Sequence, residues 1–362
     1  MINFEARLEA LKVRRQGTRE RTIIESMEGQ AAQKAILNGI DVRKIEDYEF
    51  LQEPAAIRYC VGAMKSVDNA ITQNAVEEGR QVVDDVMQTF SRRGMEVSRF
   101  VQGPVALDTH VTENASLEVV VALMDPDGSH ADGPSDQLLA CAREFRLGME
   151  ADLKESRWGA GVDCRGNLSI SVEGEPLKRT VWVTPAVFNA YPEEEGVNGG
   201  AVYLYGKDSG SLLANNSLRH VRLINERDRV YFGNLKRVIR LVSNLVADMA
   251  SYKRLIASRL SDQDIACIAY SMNQKLDVFP GNRVGLVEQV RAHFQLLCDC
   301  EVTRDRLLML DSGKKLFDSE AKLAALEILR AEFWELASAV HQVLSPSSGI
   351  YKPKIILNKY VG

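Results

Sequence analysis

The sequence is short of several things that would each declare a function. Histidine is scarce, five in 362 residues, and the six cysteines, Cys60, Cys141, Cys164, Cys267, Cys298 and Cys300, show no Cys-x-x-Cys spacing. A zinc site of clustered thiolates and imidazoles is therefore not expected, nor is a disulfide framework. No apolar run approaches the ~20 residues that cross a bilayer. The segment Met1-Ile-Asn-Phe-Glu-Ala-Arg lacks a signal-peptide core, so a cytoplasmic protein without membrane contact is expected. Positive charge is not in excess either: the formal net charge is -5, which removes the global footprint of a nucleic-acid binder. Lys236, Arg237 and Arg240, with Lys253, Arg254 and Arg259 further on, form a local basic series, the usual mark of a solvated helix face. Around Asp125-Pro-Asp127-Gly128 the ligand ladder of a calcium loop is missing, and the acids there read as turn chemistry.

What is present describes an ordinary globular chain. At 45% hydrophobic and 26% charged residues it can bury more than one core, and its length suggests two or three domains. Phe4, Leu8 and Leu11 share a helical face, and Ile23, Ile24 and Met27 begin another. The spacing of Ile71, Ala75, Val82, Val83, Val86, Met87 and Phe90 predicts a long helix from Asp68 to Arg93, closed by Gly94. Strands are expected at Val97 to Val101 and Leu117 to Leu123, the latter almost continuously apolar as for a strand covered on both faces. A helix over Leu138 to Leu153 and strands at Leu168 to Val172 and Val181 to Val183 follow. From Asn234 the chain reads as helical, with one apolar stripe from Leu235 to Met249 and another from Leu323 to Val343. Helices near Ser261 to Gln274, capped by Ser261, and near Arg283 to Cys298 lie between them. After Ser345-Pro-Ser-Ser-Gly349 the tail reads as a final docking strand or a mobile end.

The expected fold is α/β in the α+β sense: a mixed sheet core with a C-terminal helical bundle. The segments divide into an N-terminal helical extension (1–60), a core (61–233), a helical lobe (234–345) and a tail (346–362).

One run carries chemistry. Phe100-Val-Gln-Gly103-Pro104-Val-Ala-Leu-Asp108-Thr109 precedes Ala115-Ser116-Leu117-Glu118-Val119, and Arg179-Thr-Val-Trp182-Val-Thr-Pro185 comes later. In order and spacing this resembles the nucleotidyltransferases of the oligoadenylate-synthase and bacterial cyclic-oligonucleotide-synthase branch, from about Asp68 to Leu344. Thr109 matches the Thr of the family's Gly-Ser turn signature. Asn234 to Val242 is similar to the helix that opens the second lobe, and Leu310 to Asp318 to a late Asp-Gly turn. The resemblance implies a bilobal nucleotidyltransferase-like fold and a nucleotide site built from Gly103, Pro104, Thr109, Lys236, Arg240 and Ser243.

Against that pattern the carboxylates are depleted. Two magnesium ions ~4 Å apart clamp the attacking and leaving oxygens in this chemistry, and each demands hard oxygen ligands. Ser116 stands where the first metal-binding Asp belongs, Glu118 at the second and Trp182 at the third; Pro104 replaces the phosphate-touching Ser, Asp108 the second Gly, and Ser243 a common Lys. With Trp182 expected to fill the ion pocket, the expectation is a pseudoenzyme: no catalytic residue, no metal site and no cofactor. It would act as a binding or scaffolding subunit in antiviral defence, with a protein partner, a homo-oligomeric contact or a bound nucleotide. The alternatives are an active transferase that makes cyclic or linear oligonucleotides on magnesium held by Glu118 and non-standard ligands, and, less favoured, a nucleic-acid-binding module.

Overall fold

The chain is described by a computed structural model, in which residues 2–16, 45–124, 135–189 and 201–361 are defined. The second helical face of the first sixty residues, at Ile23, Ile24 and Met27, and the turn at Asp125 to Gly128 lie outside the described residues.

Helix α1 (Phe4–Gln16) and helix α2 (Ala55–Met64) precede the long α3 (Asn69–Arg92). Helix α3 starts where the Asp68 carboxylate accepts the Ala70 N–H at 2.9 Å, and it ends before Gly94, whose φ of 79° suits the left-handed stop. Its buried residues, Ala75, Val82, Val83, Val86 and Phe90, recur at helical spacing. The strands are β1 (Val97–Gln102), β2 (Leu117–Met124), β3 (Val162–Asp163), β4 (Ile170–Val172), β5 (Val181–Asn189), β6 (Ala201–Gly206) and β7 (Ser211–Asn215), with α4 (Asp136–Glu155) between β2 and β3. They form one mixed sheet in the order β1-β2-β5-β4-β3, with β6 bridging β5 to β7. The β2 and β5 pair is parallel and every other pair antiparallel.

Alternation assigns the two faces of that sheet. Leu117, Val119, Val121, Val181, Val183, Ile170 and Val172 turn toward α3 and α4 into one buried cluster with Phe90, Phe145 and Met149. Gly79 lets α3 lie close on the sheet: a Cβ there would sit 2.0 Å from Leu117 Cδ2. The intervening residues of the same strands, Val120, Ala122 and Ala186, pack with Val202 and Leu204 on the opposite face, and this row ends in Glu118.

The rest is helical: α5 (Ser217–Val230), α6 (Asn234–Ala247), α7 (Ser251–Ala257), α8 (Asp262–Tyr270), α9 (Gly285–Asp299), α10 (Glu320–Leu344) and α11 (Pro353–Leu357). Helices α1 and α2 join this half, since Leu8, Leu11, Ile57 and Tyr59 belong to the same core as Leu235, Val242, Phe294 and Phe333. Buried polar groups fix the join. Arg14 forks onto Asp248 at 2.8 and 3.1 Å while its Nε donates to Asn244, and Arg240 on α6 donates to the Met64 carbonyl at the end of α2 at 2.8 Å. The tail is neither a strand nor mobile: it folds as α11, with Ile356 and Val361 buried and the Val361 N–H on the Gly281 carbonyl at 2.8 Å. Its apolar residues find a seat on α9 and α10 that a single strand, without a sheet edge beside it, would not have.

No helix among the described residues is long and apolar enough to cross a membrane. On the outer face of α3, cations are taken up by acids: Arg80 pairs with Glu77 at 3.1 Å, Arg99 pairs with Asp84, and Arg157 lies 3.5 Å from Asp85.

Candidate active site

A cleft of about 410 Å³ opens where the Glu118 end of the sheet meets the helical half. On the sheet side it is bounded by Gln102, the turn at Gly103 and Pro104, and Glu118; on the helical side by His220 of α5, by Ser261, Asp262 and Gln263 at the start of α8, and by Asp311. The strand β1 ends at Gln102 and the chain turns at Gly103 with φ 74° into one helical turn, Gly103–Ala106. Glycine is required there twice over. Its φ is left-handed, and a Cβ would lie 2.8 Å from Glu118 Oε1, so the turn and the carboxylate are in direct contact.

Register explains why Glu118 is there. It pairs with Gln102 across β1 and with Trp182 across β5, and Trp182 in turn faces Ser171 of β4. Gln102 Nε2 donates to Glu118 Oε2 at 3.1 Å. Burial pushes the Glu118 carboxyl above the ordinary carboxylate range, the Gln102 bond opposes that, and the charge of Asp262 across the cleft adds to it. Asp262 stands exposed at the rim; crowding pushes its carboxyl upward too, damped by the water that reaches it. It sits in the first turn of α8, which a reciprocal Ser261 and Asp264 capping box begins.

The most deeply buried titratable group in the wall is His220. It is only 5% exposed, and neither Nδ1 nor Nε2 has a hydrogen-bond partner. Burial holds its pKa below the usual histidine value against the opposing pull of Asp311. A neutral imidazole offers one donor and one acceptor, and leaving both buried and unmade costs about 1–3 kcal/mol each, a cost that water or a ligand entering the cleft removes.

The residues singled out from sequence are distributed as follows. Gly103, Pro104, Thr109 and Glu118 line the cleft. Thr109 is buried and its N–H bonds the Pro104 carbonyl at 2.8 Å, tying off the turn. Asp108 adopts φ 55°, and Arg240, 7% exposed, reaches it from behind, donating to its carbonyl at 2.5 Å. Arg240, Lys236 and Ser243 on α6 are not in the cleft wall. The Lys236 N–H is bound by Asp228 at 2.9 Å, and Ser243 is half-buried along the helix. Ser116 lies exposed just before β2. Trp182 does not fill the site: it is 37% exposed and contributes nothing to the cleft lining. Gln102, His220, Asp262 and Asp311 were not anticipated. The first had a signal, its position just before the glycine; the others come from helices and a loop whose docking no local pattern encodes.

The two-magnesium seat that this fold implies does not fit these residues. Ser116 is not part of the cleft lining, the Trp182 side chain offers no oxygen, and no group of three or more His, Cys, Asp or Glu is placed to hold a metal ion among the described residues.

No protein-family model matches the chain. A cyclic dinucleotide synthase, CdnE, of Yersinia aleksiciae is 24% identical over 291 residues, covering 74% of this chain and 73% of that protein. Among solved structures, a STING-associated CdnE c-di-GMP synthase from Capnocytophaga granulosa aligns with TM-score 0.70 and 20% identity over 95% of this chain and 100% of that one. The Elizabethkingia meningoseptica CdnE cyclic dinucleotide synthase, with GTP and Apcpp, aligns with TM-score 0.57 and 19% identity over 76% of this chain and 96% of that one. These relatives are synthases, and they overturn the expectation of a scaffolding pseudoenzyme; the exposed Trp182 removes the steric objection on which that expectation leaned. In sequence the chain is similar to a cyclic dinucleotide synthase, and its fold is that of the CdnE structures.

Proposed function

We propose that the chain is an active nucleotidyltransferase that joins nucleoside triphosphates into a cyclic dinucleotide or a related oligonucleotide, with Glu118 as its working carboxylate. The observation that carries this reading is the contact of the Gly103 turn with Glu118 at the mouth of a cleft between sheet and helices. The relatives' activity supports it. In the reaction a nucleoside hydroxyl attacks an α-phosphorus; the new O–P bond forms as the bond to pyrophosphate breaks, and pyrophosphate departs with that electron pair. The hydroxyl proton goes to Glu118, whose raised pKa suits a base working near neutrality. Gln102 holds the carboxylate through Oε2. On the helical wall the neutral His220 shares the cleft with Leu168, Leu204 and Leu213 and offers a donor and an acceptor among apolar surfaces, as a nucleobase edge requires. A product of this kind serves as a signal; the STING association of the Capnocytophaga synthase favours a defence role here too.

The test is incubation with labelled ATP, GTP, CTP and UTP, singly and in pairs, with magnesium and with manganese, and chromatography of the products. Expected is a dinucleotide-sized product whose formation falls about 100-fold or more in Glu118→Gln, the scale of losing a general base. Failure of the folded protein to form product from any combination, with either ion, would overturn the reading.

A further inference from the structure

A second cavity, of about 190 Å³, lies where the end of α2 meets the start of α6 and the segment before α9. It shares no residue with the cleft. Its polar wall is cationic: Lys65, Arg237, Arg240 and Arg283 face it, with Asp47 the one acid.

These cations are not equally satisfied. Lys65 is ion-paired to Asp47 at 3.0 Å and to Glu46 at 3.7 Å. Arg240 is held by the Met64 and Asp108 carbonyls, with the Asp108 carboxylate 3.6 Å away. Among the described residues Arg237 has only neutral oxygens, its Nη1 donating to the Phe232 carbonyl and to Asn234 Oδ1, both at 2.8 Å, and Arg283 has only the Pro280 carbonyl, at 3.3 Å. The carboxylate of Asp228 acts on both Arg237 and Arg240 from a distance and accepts the Lys236 N–H, forming an ion pair with neither arginine. Arg237 is half-buried, and burial together with the charge of Arg283 pulls its pKa below the ordinary guanidinium value. The acids nearby pair with Lys65 and Arg240 and leave Arg237 and Arg283 without an ion pair among the described residues; like charges held close in that way are unfavourable, whereas planar guanidiniums form the fork that grips phosphate oxygens.

We propose that this cavity is an oxyanion site that takes a phosphate or diphosphate group between Arg237 and Arg283. The space suits such a group with water. It is smaller than the ~300–1,000 Å³ typical of pockets that enclose a drug-sized ligand, so a nucleotide would enter by its phosphates alone. An anion seated there also meets Arg240, which donates to the Asp108 carbonyl shortly after the Gly103 turn, so one side chain links the two places. The site stands independently of the proposed reaction.

Titration calorimetry at fixed ionic strength tests it, with inorganic phosphate, pyrophosphate and ADP as probes on the full chain without other ligands. Binding of pyrophosphate is expected to weaken tenfold or more in Arg283→Gln and to vanish in the Arg237→Gln, Arg283→Gln double variant. Ligand-free Arg283→Gln is expected to melt no lower than wild type, because it relieves repulsion, and this keeps loss of binding apart from loss of fold. Tighter binding of pyrophosphate than of ADP through these arginines identifies free diphosphate as the occupant, and the reverse identifies a nucleotide's phosphates. Equal affinity in wild type and both variants, or no binding of any probe, overturns the proposal.

Discussion

The two faces of the central sheet are built from the same strands and obey different rules. Toward α3 and α4, Leu117, Val119, Val121, Val181 and Val183 are fully buried against other apolar side chains. One residue out of phase, Glu118 stands across from Gln102 and Trp182 with a single hydrogen bond to hold it. The first face is redundant, many side chains sharing one task, while the second is singular. A protein can lose acids from the second and keep its fold, because the first sets the fold.

Substitutions on adjacent residues of β2 separate the two roles. Leu117→Ala on the packed face is expected to cost about 2–5 kcal/mol in a denaturant melt, with turnover per folded molecule intact. Glu118→Gln beside it should do the opposite, losing product formation about 100-fold while the melting temperature holds or rises. The sign follows from the raised pKa: the folded state binds that proton more tightly than the unfolded chain does, so the ionised carboxylate costs stability above its folded pKa, and the amide removes that cost. A change of several degrees downward would mean that Glu118 is structural.

A smaller effect comes from pH in the helical half. His293, buried and bonded through Nε2 to Ser271 Oγ at 2.9 Å, has its pKa pulled from 6.5 down to about 4, by burial first and the charge of Lys275 next. A lowered histidine pKa means that the unfolded chain takes the proton first, so its contribution is complete above pH 6.5 and drains away as pH falls toward 4. Acid melts of His293→Gln should show a shallower decline over that window than wild type. Least of all, Ser261→Ala removes the hydroxyl that caps α8 at 3.1 Å and should cost about 1 kcal/mol. Because α8 carries Asp262 into the cleft wall, a larger loss of activity than of stability would show that the cap also positions the wall.

Much of this plan could be read from spacing. Helix α3 was expected over Asp68 to Arg93 and spans Asn69–Arg92; β2 was expected at Leu117 to Leu123 and spans Leu117–Met124. Both bury a continuous apolar stripe, the feature that periodicity detects. Helix α5 escaped because it buries only His220 and Ile224 among charged residues and so presents no stripe. The β6 and β7 hairpin escaped because β7 is largely uncovered and its residues show no alternation of burial. At the site, the Gly103 turn and Glu118 were legible because they are neighbours in a short span. The far wall, His220, Asp262 and Asp311, lies about 100 to 200 residues away in sequence and meets Glu118 only through docking of the halves. The expected obstruction by Trp182 misjudged direction: strand alternation assigns a face, but not whether a large side chain leans into a cleft or out of it.

The helical half draws on both ends of the described chain, and this has a consequence for the order in which the molecule is made. Arg7 on α1 pairs with Glu332 on α10 at 3.4 Å, and Glu53 with Lys359 at 2.6 Å. As synthesis proceeds, α1 and α2 emerge able to cover Leu11, Ile57 and Tyr59 only in part with each other, and most of the remaining core lies more than 150 residues downstream, whereas the sheet has all its strands once β7 is out. The sheet half can therefore condense first, as domains do during translation, with the early helices held over as the first half of a clasp that the late ones close. Since the cleft needs both walls, it is not complete until that clasp shuts.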